Sequence, residues 1–186
     1  MRIRNLILFL LIAGLIVAGS WIVSPALKAA DKSTLDSEEI TNLLSEAKAE
    51  AVQLKNDAET METFARSKLS WESHAVAVER IKDHVNAVGR VVNKLNGLKT
   101  SASPWQETAI DRITPLLNEL ATNTNSTIAC LNESRGRLHN EEYKELVAAN
   151  SEMSGQLSAM IGDFVDYGKT KARFERLRNR LEIDRT

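Results

Sequence analysis

The chain has 186 residues, 24 Lys or Arg against 25 Asp or Glu, a formal net charge of −1, three prolines and one cysteine. This balance argues against the strongly basic face of a nucleic-acid-binding domain, and the lone Cys130 excludes an internal disulfide framework. With an N-terminal apolar segment set aside, the remainder fits one domain, long enough to bury a core without a metal or a disulfide.

Residues 1–30 read as an export signal or a membrane anchor. Arg2 and Arg4 precede Leu6–Val23, a run of 18 uncharged residues, long for a signal core and near the lower limit for a spanning helix. Ser24 to Ala30 offers a cleavage region with Pro25 ending the apolar helix and the cut at Ala29 or Ala30, although Leu27 or Lys28 fits poorly two residues upstream. Without cleavage the segment stays as a single-pass anchor, with Trp21 at the headgroup level. The first outcome gives a free periplasmic or secreted domain, the second a domain held at the membrane. In both, the basic start directs the following domain out of the cytoplasm.

Residues 31–186 show apolar spacing of alternating fours and threes in four stretches, which predicts helices over approximately 36–68, 71–98, 104–133 and 141–183. The first track is Ile40, Leu44, Ala47, Ala51, Leu54, Ala58, Met61 and Ala65, with Asp36 and Glu39 spaced as a variant capping box. The second is His74, Val78, Ile81, Val85, Val88, Val92 and Leu95. The two tracks do not join in phase, and Ser70 can cap a new helix, so a break is expected near Ser70. Neither Gly nor Pro enforces it, and one continuous helix is the alternative.

Ser103-Pro104-Trp105-Gln106 is a start signal for the third helix: a cap, a proline at the first position and a glutamine at the third. Its apolar residues are Trp105, Ala109, Ile110, Ile113, Leu117, Leu120, Ile128 and Leu131; Thr124 interrupts the stripe, and Pro115 should kink the helix. Asn140 caps the fourth helix, and Glu141 and Glu142 suit the positive end of its dipole. Its expected track is Tyr143, Leu146, Asn150, Met153, Leu157, Met160, Phe164, Tyr167, Lys171, Phe174, Arg178 and Leu181, with polar members late, as if the helix outruns the core. Phe164 and Tyr167 are assigned to the core, Asp163 and Asp166 to its solvated flank, and Gly168 to close packing or a kink. Short links between four amphipathic helices predict an all-α, antiparallel up-down-up-down bundle behind the N-terminal segment.

No catalytic constellation is found. The Glu-x-x-His spacing of di-iron bundles is absent, one cysteine cannot attach a haem through Cys-x-x-Cys-His, and the three histidines are scattered. No catalytic residue, cofactor or metal ligand is therefore assigned. His74 reads as a core-edge histidine bonded to a neighbouring helix, with a small polar pocket beside Trp71 and Glu72 as the sharper alternative. Cys130 reads as a small buried residue, or else as the link of a disulfide-bonded dimer. Residues 1–30 carry +3 from Arg2, Arg4 and Lys28, which leaves −4 for the rest; residues 169–186 hold seven bases against three acids, +4, so 31–168 carry −8. Lys169, Arg173, Arg176 and Arg180 in this basic end are candidates for contact with anionic lipid or an acidic partner, whereas pairing with the acidic start of the first helix is the plainer use. The expected function is that of an exported, non-catalytic bundle of the cell envelope, serving protein interaction or structure; an extracytoplasmic ligand-binding or sensory bundle is the alternative.

Overall fold

The computed structural model describes residues 35–67, 69–133 and 140–181. The chain divides into two units, 1–31 and 32–186, and all described residues belong to the second. The expected signal or anchor therefore lies outside the described residues.

The described chain forms α1 (Glu38–Ala65), α2 (Trp71–Gly97), a short 3-10 turn (Lys99–Ser101), α3 (Pro104–Glu133) and α4 (Glu141–Arg180). The helices close a ring: α1 packs on α2 and α4, and α3 on the same two. Side-chain pairs fix the directions. Glu50 meets His84 and Phe64 meets His74, so α1 and α2 run antiparallel. Asn96 with Thr114 and Lys99 with Asp111 set α3 against α2. Asn123 with Leu146 and Trp105 with Tyr167 set α4 against α3, and Lys48 with Asp166 and Asp36 with Lys171 close α4 onto α1. The result is an all-helical bundle in which each helix reverses the one before it.

α1 and α2 bury every residue of their expected tracks, His74 included. The break between them falls at Arg66 to Ser70, where the Ser70 side chain accepts from the Ser73 amide. α1 is capped by Ser37, whose hydroxyl accepts from the Ile40 N–H, and not by Asp36. Asp36 is turned aside because its carboxylate takes the Trp105 indole N–H at 2.7 Å and Lys171 at 2.8 Å. α3 runs unbroken through Pro115. Its late half keeps Leu131 of the expected stripe buried and Thr124 with it, but Thr127 and Cys130 are buried where Ile128 is only half-buried. The polar members are satisfied inside. Thr124 Oγ1 shares its proton between Leu120 O (2.8 Å) and Asn150 Oδ1 (3.0 Å), and Asn150 Nδ2 donates to Thr127 Oγ1 (2.9 Å).

α4 departs most from expectation. Its buried seam is Tyr143, Val147, Asn150, Ser154, Leu157, Ser158, Ile161, Val165 and Gly168. Only Tyr143, Asn150 and Leu157 belong to the predicted track. Leu146, Met153, Met160 and Phe164 are half-buried at the rim of the core, and Tyr167 is exposed. Small residues on α4 allow close approach to α1, whose buried face carries Ala47, Ala51, Ala58 and Ala65. The bulky residues are then left at the edge facing α3.

Gly168 marks the tightest approach. A Cβ there would stand 2.8 Å from Trp105 Cη2. The indole is held by its bond to Asp36 and by an edge-on contact with Tyr167 at 5.4 Å between centroids. Gly168→Ala is therefore expected to destabilise by about 1–3 kcal/mol, the usual penalty of overpacking, which exceeds the gain of about 1 kcal/mol in helix propensity. At Gly89 in mid-α2 a Cβ meets nothing within 4 Å. Gly89→Ala is expected to gain about 0.5–1 kcal/mol. Thermal melts of both variants check the pair, and a rise in Tm for Gly168→Ala would show that Trp105 yields freely.

Candidate functional site

One end of the bundle holds the starts of α1 and α3. Gln106, fully buried, joins them: its Oε1 accepts from the Ser37 N–H (3.0 Å) and the Ser103 N–H (3.1 Å), and its Nε2 donates to Ser37 O (2.8 Å) and Thr41 Oγ1 (3.1 Å). The glutamine expected to complete a local capping box thus serves two helices at once. Nearby, burial raises the Asp36 carboxyl, but hydrogen bonds from Lys171, Ser103 and Trp105 outweigh it and hold the group below its ordinary value. Burial opposes the Lys171 charge, yet the bonds to Asp36 and Glu175 raise that ammonium above its ordinary value. The arrangement ties elements together and offers no reactive group.

The opposite end holds His74 and Tyr143, both fully buried. His74 Nδ1 and the Tyr143 hydroxyl are 2.8 Å apart, and the Phe64 ring stands edge-on to the imidazole. Burial first, and the neighbouring Cys130 second, push the Tyr143 phenol well above its ordinary range. Trp71 Nε1 donates to Leu131 O at 2.9 Å, tying α2 to α3. His74 lies in the core with its bond to a neighbouring helix, and Cys130 is buried and free. At mid-height, His84 stands between Glu50 (3.0 Å) and Asp57 (3.5 Å) of α1. Among the described residues no group of three or more His, Cys, Asp or Glu could hold a metal ion, and no helix is long and apolar enough to cross a membrane.

An open groove of about 620 Å³ lies between α3 and α4. Trp105, Met160, Phe164 and Tyr167 form its apolar floor and walls. Arg112 lies over the Phe164 ring at 5.9 Å from the centroid, and Asp163 also lines the groove. Phe164 and Tyr167, assigned to the core from their spacing, belong to this groove, because the α4 seam turned the smaller residues inward. The run Asp163-Phe164-Val165-Asp166-Tyr167-Gly168 was the one visible signal; its mixed acidic and aromatic character fits a rim better than a core.

The basic end of α4 lies beyond the last buried residue, Gly168. Among the described residues only Lys171 of this cluster pairs with the start of α1, through Asp36, and it also meets Glu175. Lys169, Arg173, Arg176 and Arg180 are all exposed and form no ion pair among the described residues. Among the described residues, Lys171 is thus tied into the fold while these four are not ion-paired.

No family model matches this chain, and neither a curated protein nor a solved structure matches it.

Proposed function

We propose that this chain is an exported, non-catalytic helical bundle of the cell envelope that presents its α3–α4 groove to an amphipathic helix of another envelope protein. The observation that carries the reading is the row of Trp105, Met160, Phe164 and Tyr167 along the groove, flanked by Arg112 and Asp163. Aromatic and methionine side chains with a cationic neighbour are enriched where proteins meet. A groove between two helices is matched in shape by a third helix with apolar residues every three or four positions. Export rests on residues 1–30 as read from the sequence, with the domain outside the cytoplasm and either held by that segment or released from it.

The test is site-specific photocrosslinking in intact envelopes with the probe at Thr108 of α3 or Tyr167 of α4, both of which line the groove. Both positions should give the same adduct, while a probe at Val76, exposed at the far end, should not. Ala159→Glu, which places a charge in the groove, should abolish it. Adducts that appear equally from Val76, or that survive Ala159→Glu, sink the proposal. An extracytoplasmic ligand-binding bundle is the second reading, favoured by a groove volume within the range of about 300–1,000 Å³ used by small ligands. A thermal shift with a small molecule, lost in Ala159→Glu, would select it.

A further inference from the structure

We infer that the C-terminal overhang of α4 is an interfacial helix that lies against an anionic lipid surface. Beyond Lys171, its last tie to α1, the helix continues to Arg180 without burying a residue, a projection of about 14 Å at 1.5 Å per residue. Phe174 and Leu181 are each 63% exposed and Leu177 37%, which is unusual for large apolar side chains on a helix that has a core available. At about 100° per residue, Phe174, Leu177 and Leu181 fall within an arc of about 60°. By the same rule, Arg173, Arg180, Lys169 and Arg176 fall in an adjoining arc of about 60°. The apolar stripe and the cationic stripe thus lie side by side along one helix. That is the pattern of a helix that sinks apolar side chains into the acyl boundary while its bases reach phosphates.

Charge decides among the occupants. A second copy stacked stripe to stripe would bring these four cations, none ion-paired among the described residues, against four more, so the overhang disfavours that self-association. An anionic lipid layer neutralises them and accepts the apolar stripe at the same contact. The place in the fold agrees. The overhang projects from the end where α1 begins. The inference goes beyond the partner-binding reading and shares with it only the expectation that residues 6–23 bring the chain to a membrane.

The test uses the full chain, with Cys130→Ala and a single environment-sensitive fluorophore on Leu177→Cys, reconstituted in vesicles. In phosphatidylglycerol-containing vesicles the probe should shift to the blue and be quenched by lipids carrying a spin label near the headgroup. In pure phosphatidylcholine both effects should fall severalfold, and added salt should weaken them. Reversal of Arg173, Arg176 and Arg180 to Glu should abolish the quenching while the helical circular dichroism stays unchanged. A probe on Val76→Cys, at the far end, should remain aqueous throughout. An aqueous signal from Leu177→Cys in anionic vesicles overturns the inference. So does a buried signal without lipid quenching, which would mean a protein covers the stripe, and so does quenching that ignores lipid charge. None of these outcomes bears on the crosslinks from the α3–α4 groove, so the two proposals fail separately.

Discussion

Gln106→Met is expected to lower the stability of the bundle by about 2–5 kcal/mol, because buried polar groups left without partners cost about 1–3 kcal/mol each. The replacement keeps the length and apolar stem of the side chain, so packing changes little. What it removes is the acceptor shared by the Ser37 and Ser103 N–H groups and the donor to Ser37 O. Both amides belong to helix starts, where the backbone has no partner of its own. Ser37 keeps its bond to the Ile40 amide, so α1 should still form, but its first turn loses its fixed place against α3. Urea unfolding measures the loss. Native stability for a domain of this kind is about 5–15 kcal/mol, so the loss should be a sizeable fraction of the total. A loss below about 1 kcal/mol would mean that water replaces the amide, and that the two helix starts are not held by this residue.

Tyr143→Ala is expected to cost about 3–5 kcal/mol, the range for removing a large buried aromatic side chain. The ring is fully buried where the starts of α2 and α4 meet the end of α3, and it forms the roof over His74. Tyr143→Phe keeps the ring and loses only the bond to His74 Nδ1, so its cost should be about 1–2 kcal/mol. The two variants also divide the alkaline behaviour. Burial and the neighbouring Cys130 raise the phenol in the folded chain. As pH rises past about 10, the ordinary tyrosine value, the unfolded chain releases its phenolic proton while the folded chain keeps it. The unfolded state then binds fewer protons, and stability falls with rising pH. Wild-type stability should therefore decline faster than that of Tyr143→Phe above about pH 10. Parallel curves for the two proteins would show that Tyr143 ionises without unfolding.

Local rules made α1 and α2 legible. Their apolar positions form a single continuous track each, so only one face could turn inward, and every residue from Ile40 to Ala65 and from His74 to Leu95 on those tracks is buried. The caps at Ser70 and Asn140 were equally readable, since a short polar side chain before a periodic run has one local use. The cap at Ser37 was not. Asp36 and Ser37 both qualify locally, and the choice was made by Trp105 and Lys171, which are distant in sequence and claim the Asp36 carboxylate.

α4 shows the same division on a larger scale. Its sequence carries two interleaved tracks that share Tyr143, Asn150 and Leu157, one adding Leu146, Met153, Met160 and Tyr167, the other Val147, Ser154, Ile161 and Gly168. Hydrophobicity favours the first, and the fold uses the second, because helix packing is settled by the space the neighbour leaves. The alanines of α1 admit a close partner, and Gly168 admits the Trp105 ring, so the bulky residues become the wall of a groove. The basic end of α4 was visible as a count of charges. Which of them the bundle uses was decided by reach: among the described residues, Lys171 alone of this end pairs with the start of α1. The sequence by itself determined that the chain forms helices and where the first two break, since those follow from spacing and residue type. The groove and the exposed cationic stripe were decided by tertiary structure, because both depend on which of two possible faces of one helix the other helices can accommodate.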